Sequence, residues 1–335
     1  MIRPFRLRDS YLLQKLARQS VPLHLERHLI QPRQPLGMAL SAPVAWRGSG
    51  AATFISHHSQ GDNQPSGFIQ ASKHLGRPEA DVRYIAPRLE NNTRAADTWR
   101  ELLRFISISA ADFGLHRLYA CVPAQEPAAE IIASSGFAIY VRETLFRLDS
   151  ITEVGDDDAG LVRDQREVDS FALQRLFDRY TPPVVQKAEG AFVREGDSAS
   201  YHLIFQNWWQ PDRVDGLVYE QDGQILGAVR IRRGSKGHWL RFVGDVSRQD
   251  VMAALLRGAM RRMQRDSRPI YCGVRPYQNA LGAVLHDGGF TSGPELARFV
   301  RYTAVHAREP ATSKKRILIE PTIPGVISSE PIPKT

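Results

Sequence analysis

The chain has two cysteines in 335 residues, Cys121 and Cys272. That count excludes a disulfide framework for a chain of this length, and no His/Cys spacing suits a metal ion. Both cysteines lie in apolar runs, "RLYACV" and "PIYCGV", so both read as small buried strand residues. No apolar run approaches the ~20 residues that span a bilayer. The first residues, "MIRPFRLRDSYLL", lack an apolar signal core, so the expected location is cytoplasmic. Basic helices with interleaved aromatics are also missing, which places nucleic acid last among the candidate ligands.

What is present describes a globular protein. Hydrophobic residues make up 42% and charged residues 24% of the chain, a balance that can bury a core. The length suits two domains better than one. The net charge of +8 is spread along the chain and carried mostly by arginine. A mildly basic surface suits an anionic ligand, although a general preference for arginine accounts for it equally well.

The sequence repeats its own organisation. "GLHRLYACV" predicts a strand, "PAQEPAAEIIASSGF" a helix closing on glycine, and "AIYVRETLFRLD" two short strands. Later, "SRPIYCGV", "RPYQNALGAVLHDGGF" and "ARFVRYTAV" follow the same order. Tyr119 then matches Tyr271, and Gly136-Phe137 matches Gly289-Phe290. The preceding helices share one apolar spacing: Trp99, Leu102, Leu103, Ile106 and Ala110 in the first, Met252, Leu255, Leu256, Ala259 and Met263 in the second. "GAATFISHH" and "SGFIQASKH" predict one hairpin, and Asp222-Gly223 marks another. Two units are expected, residues 1–150 and 160–307. A polar linker, 151–159, joins them, and a proline-rich tail without helical period follows at 308–335.

That order, strand–loop–helix followed by strand–helix–Gly-Phe–strand and met twice, resembles the GNAT N-acetyltransferase family in its tandem form. The resemblance implies an α/β (α+β) fold: two GNAT-like domains, each with a central mixed, mostly antiparallel sheet flanked by helices. It also implies acetyl-CoA as cofactor. In that family the pantetheine arm slides between two splayed strands, and the pyrophosphate rests on the N-terminus of the next helix. Carried over to this chain, the cofactor-binding positions are Ile85, Arg88, Asn92 and Arg94.

The chain departs from the family's loop pattern, Gln/Arg-x-x-Gly-x-Gly/Ala. Arg94 takes the first position, but Asp97 and Trp99 stand at the two small-residue positions. In the second unit these positions are Ser247, Asp250 and Met252. An aspartate there repels a phosphate and reads as a helix cap; "SRQD" fits a capping box from Ser247 to Asp250. The alternative is a cofactor held in a shifted geometry, with Arg94, Arg88 or Arg248 on the phosphates. The family's tyrosine acid, four residues before the glycine, is replaced by Ile132 and Leu285. Arg275, Tyr277 and His286 lie nearby, as do Asp81, Arg83 and Tyr84 on a strand whose alternation puts Tyr84 opposite the other two. No residue is assigned as catalytic. "FQNWWQPDRV" offers a pocket wall or an interface. The expected function is acetyl transfer to a small-molecule or peptide amine. The alternative is a pseudo-acetyltransferase that has lost its cofactor and binds a protein partner.

Overall fold

A computed structural model describes residues 1–42, 44–47, 50–57, 66–74, 77–89, 94–151, 161–190 and 214–303. Asn92, most of the expected linker, the tryptophan pair 208–209 and the tail 308–335 lie outside the described residues.

Each half starts with a short strand, β1 (Ile2–Pro4) and β8 (Val162–Asp164), and a first helix, α1 (Ser10–Ala17) and α6 (Ser170–Tyr180). The entry is built alike in both. Arg3 pairs with Asp9 at 2.6 Å, and Arg163 pairs with Asp169 at 2.8 Å. Each aspartate also accepts a backbone N–H three residues back, from Arg6 and Arg166. The first half continues with β2 (Val21–Pro22), α2 (Leu25–Ile30) and α3 (Pro35–Ser41). The second has α7 (Pro183–Glu189).

Antiparallel strands follow: β3 (Ala51–Ser56), β4 (Gly67–Lys73) and β5 (Glu79–Ala86), then β9 (Val214–Gln221), β10 (Gln224–Arg233) and β11 (His238–Gly244). Asp222 and Gly223 have φ of 51° and 72°, the two left-handed residues that a two-residue hairpin of this hand requires. The long helices are α4 (Ala95–Asp112) and α8 (Gln249–Met263). Their predicted apolar faces are buried without exception, in one core around Trp99 and Leu102 and another around Leu255 and Met263. Parallel strands β6 (Arg117–Pro123) and β12 (Ile270–Val274) come next, then α5 (Pro127–Ser134) and α9 (Ala280–Asp287). Gly136 and Gly289 end these helices at φ of 88° and 85°, the left-handed exit that glycine takes without a Cβ penalty.

The last strands differ from expectation. "AIYVRETLFRLD" forms a single strand, β7 (Ala138–Leu148), and its counterpart is β13 (Thr291–Tyr302). No turn-forming residue interrupts β7, and it has strands on both sides. The two are exchanged between halves: β13 pairs with β6 of the first half, and β7 pairs with β12 of the second. They also pair with each other. The result is one continuous sheet in the order β1-β3-β4-β5-β6-β13-β7-β12-β11-β10-β9-β8. Apolar cores line the face covered by α4, α5, α8 and α9.

Candidate functional site

In the first half β5 and β6 pair in parallel at Glu79↔Arg117, Ala80↔Leu118 and Asp81↔Tyr119, then separate. The cleft beyond is where a pantetheine arm would lie. The chain's own residues 21–24 fill it. Val21 and Pro22 pair antiparallel with Ile85 and Tyr84. The Leu23 N–H donates to the Arg83 carbonyl at 2.9 Å, and the Cys121 N–H donates to the Leu23 carbonyl at 2.7 Å. His24 bridges Cys121 in parallel register. Leu23 is fully buried in the first core. Residues 21–24 thus take up backbone groups on both strand edges that an extended ligand would use.

The expected cofactor residues fare accordingly. Ile85 is buried, and its backbone is held between Val21 and Ile69. Arg88 is exposed, Arg94 is the residue preceding α4, and Asn92 lies outside the described residues. Trp99, at a small-residue position, is buried and donates its indole N–H to the Pro87 carbonyl at 2.7 Å. Asp97 does not cap the helix; it pairs with Arg100 at 2.9 Å on the surface. The first cleft does not fit acetyl-CoA.

The second half differs. β11 and β12 pair from His238↔Ile270 to Leu240↔Cys272, and β11 then runs on to Gly244. Among the described residues no strand takes the place that residues 21–24 take in the first half. The Gln278 amide reaches the Phe242 carbonyl at 3.2 Å. The phosphate end of this cleft is unaccommodating. Asp250 accepts the Val251 N–H at the start of α8 and pairs with Arg248 at 2.8 Å. The expected capping box is absent, because Ser247 turns to Asp245 at 2.6 Å.

Between the halves, on the face carrying α2, α6 and α7, lies a chamber of about 170 Å³. Among the described residues, six arginines and four carboxylates line it. Glu26 of α2 binds Arg232 at 2.8 Å and Arg298 at 2.6 Å, tying the first half to β10 and β13. Burial opposes ionisation of Glu26, but Arg298, Arg232 and Arg241 hold its carboxyl well below the usual range. Asp81 lies 2.8 Å from His74 Nε2 and 3.4 Å from His24 Nε2. Burial works against a charged His74, yet Asp81 and Glu79 outweigh it and hold its pKa at about 9. Burial lowers His24 in spite of Asp81. Glu189 sits against Arg275, 3.4 Å from Arg241 and 3.0 Å from the Tyr140 hydroxyl. Burial raises its pKa, but the arginines bring it to about 2.

Cys121 also lines the chamber, and burial pushes its thiol up to about 12. It is therefore an unreactive thiol at neutral pH. Tyr119 donates to the Ala188 carbonyl at 2.7 Å, a further tie between the halves. Among the described residues no group of three or more His, Cys, Asp or Glu is placed to hold a metal.

The other sequence candidates divide. Asp81 faces the chamber as a strand residue aimed at a ligand would. Tyr84 does not oppose it: the pairing with β4 slips a residue at Arg83, and this bulge turns Tyr84 to the α1–α3 side. There its hydroxyl accepts the Arg33 N–H at 3.2 Å. Arg275 is buried against Glu189, and Tyr277 accepts from it at 2.9 Å. His286 is exposed, 3.1 Å from the Phe290 carbonyl and edge-on to Phe146, outside the chamber. Ile132 and Leu285 are core residues. Sequence pattern alone does not mark the chamber arginines, because Arg230, Arg232 and Arg241 alternate with apolar residues, the signature of a solvated strand face. The one available signal was their number on two adjacent strands.

No family model matches the sequence, and no curated protein matches it. Solved structures do. A tandem GNAT protein from the clavulanic acid biosynthesis pathway aligns with a TM-score of 0.51 at 15% identity, over 91% of this chain and 99% of that one. A GCN5-related N-acetyltransferase from Sphaerobacter thermophilus aligns with a TM-score of 0.51 at 13% identity, over 91% and 97%. At such identity the likeness is one of fold: this chain has the tandem GNAT fold, two mostly antiparallel α/β halves. Among the described residues no helix is long and apolar enough to cross a membrane.

Proposed function

We propose that the protein is a GNAT-type N-acyltransferase with one working cleft, in the second half, acting on an amine held in the central chamber. The observation that carries this reading is the asymmetry of the two clefts: residues 21–24 seal the first, whereas no described strand fills the second beside Arg241 and Val243, which also line the chamber. Acetyl-CoA, when bound, supplies an acyl thioester. The backbone of Arg241–Val243 would hold its arm, and Arg248, released from Asp250, would meet its phosphates. The first half then serves as scaffold and as one wall of the acceptor site. This proposal keeps the division into units 1–150 and 160–307 and a cytoplasmic setting.

A second reading has its own support. Asp250 already occupies N–H groups where a phosphate would rest, and neither half has the loop glycines. On that reading the protein is a pseudo-acetyltransferase that binds a ligand or a protein in its chamber without transferring anything.

Calorimetric titration of acetyl-CoA into the full chain separates the two. The expected result is one binding site, unchanged in Arg94→Ala and lost in Val243→Trp, with thermal melts confirming that both variants fold. Weakening by Arg94→Ala would overturn the assignment to the second half. Absence of both heat and thermal stabilisation at millimolar acetyl-CoA would establish the second reading instead.

A further inference from the structure

The bulge in β5 leaves a guanidinium beneath α2. Tyr84 pairs with Gln70 and Val82 with Ala71, so Arg83 is the extra residue. Val82 and Ile85 both enter the core under α4. Arg83 and Tyr84 between them therefore share the opposite face, because a bulge sets two consecutive side chains where a regular strand sets one. Arg83 is 5% exposed. Among the described residues no hydrogen bond and no ion pair reaches its side chain. Asp81, two residues back, is committed elsewhere: to His74 at 2.8 Å, His24 at 3.4 Å and Arg27 at 3.8 Å. Burial lowers the pKa of Arg83 to about 10; Arg27 and Arg33 add to this, and Asp81 opposes it. Burial, and then the Arg83 charge, lower His28 of α2. The Tyr84 hydroxyl joins these groups, 3.4 Å from His28 Nδ1 and accepting the Arg33 N–H at 3.2 Å. Arg33 is exposed and His28 half-buried, so the corner meets the surface on their side.

A guanidinium carries five N–H donors and keeps its proton. Buried polar groups without partners are rare in folded proteins, and each marks a place for water or an ion. Water would satisfy the donors of Arg83 but not its charge. We infer that Arg83, with Arg33 and the His28 imidazole beside it, binds a small oxyanion, a carboxylate or a phosphate, beneath α2. The guanidinium fork offers such a group two parallel N–H donors. Arg83 does not line the central chamber, and the inference does not depend on acyl transfer. It has a consequence for the first cleft. The Arg83 carbonyl accepts the Leu23 N–H at 2.9 Å, and Tyr84 holds the Arg33 N–H. An anion gripped by Arg83 and Arg33 ties residues 21–33 to β5 and reinforces the seal.

The test needs no acyl donor, so the two proposals fail separately. Thermal unfolding of the full chain is followed with sodium phosphate, sodium acetate and sodium chloride at matched ionic strength. The expected result is a saturable rise in Tm with phosphate or acetate that chloride does not give. Phosphate also stabilises folded proteins by exclusion from their surface, but that rise does not saturate. In Arg83→Met the affinity falls about tenfold or more. The anion-free Tm of that variant equals or exceeds that of the original chain, because an unpaired buried charge has given way to an apolar side chain. Hydrogen exchange locates the site: added anion should slow the Leu23 and Arg33 amides and leave those of α6 unchanged. Arg33→Gln should also weaken binding, and it keeps the test valid if Arg83→Met does not fold. Arg100→Met, on the surface of α4, should change nothing. Response to acetate alone assigns a carboxylate, and response to phosphate alone a phosphate. If neither anion exceeds chloride, or if Arg83→Met responds like the original chain, the inference is wrong. A folded Arg83→Met that melts well below the original chain without anion would also overturn it, by showing that Arg83 is already satisfied.

Discussion

Leu23→Ala tests the sealed cleft most directly. The side chain is fully buried between β5 and β6, in the core shared with Trp99 and Leu102. Removing three carbons forfeits about 2.4 kcal/mol at ~0.8 kcal/mol per buried group. A remnant cavity of some tens of Å³ adds about 1 kcal/mol. The expected loss is therefore about 3 kcal/mol, read as a lower urea midpoint with an unchanged slope. Hydrogen exchange supplies a second readout. The Leu23 and Cys121 amides, both bonded across the cleft, should exchange far more slowly than exposed amides in α1. A loss below about 1 kcal/mol, or rapid exchange at both amides, would show that residues 21–24 do not occupy the cleft. The first half would then be open to a cofactor, and the assignment of the working site would fall with it.

Glu26→Gln should cost about 3 kcal/mol, because it removes the buried carboxylate that Arg232 and Arg298 share, while Arg298 keeps Glu143 at 2.7 Å; a denaturant midpoint close to that of the original chain would show that the halves are not held by this network. His74 predicts a pH dependence. Its folded pKa of about 9 lies above histidine's ordinary value of 6.5. Its pairing with Asp81 and Glu79 therefore contributes fully below pH 6.5 and is lost as pH rises through about 9. The stability gap between the original chain and His74→Gln should be on the order of 2–3 kcal/mol at pH 6 and close near pH 10. A gap that stays constant across that range would contradict the pairing.

Much of the fold was legible because its signals are local. The faces of α4 and α8 follow from helical spacing, the 214–233 hairpin from Asp222-Gly223, and the helix exits from Gly136 and Gly289. The candidate site was legible only in outline. Asp81 was named, but for a cleft that another segment fills. The stretch 20–47 carried no periodic signal strong enough to read, and it contains both the seal and Glu26. The capping reading of Asp97 failed because it found Arg100 three residues on, and the capping box from Ser247 to Asp250 failed because Ser247 turned to Asp245, local partners that the pattern match did not weigh.

Backbone propensity and apolar period act over a few residues, so local sequence specifies most of the helices and strands and their recurrence in the second half. Tertiary structure decided which strand edges meet. The exchange of β7 and β13 and the entry of residues 21–24 between β5 and β6 pair groups from distant parts of the chain. An unpaired strand edge accepts any backbone of suitable register, so nothing local names its partner. The same holds for Arg230 and Arg241. Their alternation specifies a polar face, and only the arrival of the other half's Glu26 and Arg77 makes that face a buried chamber.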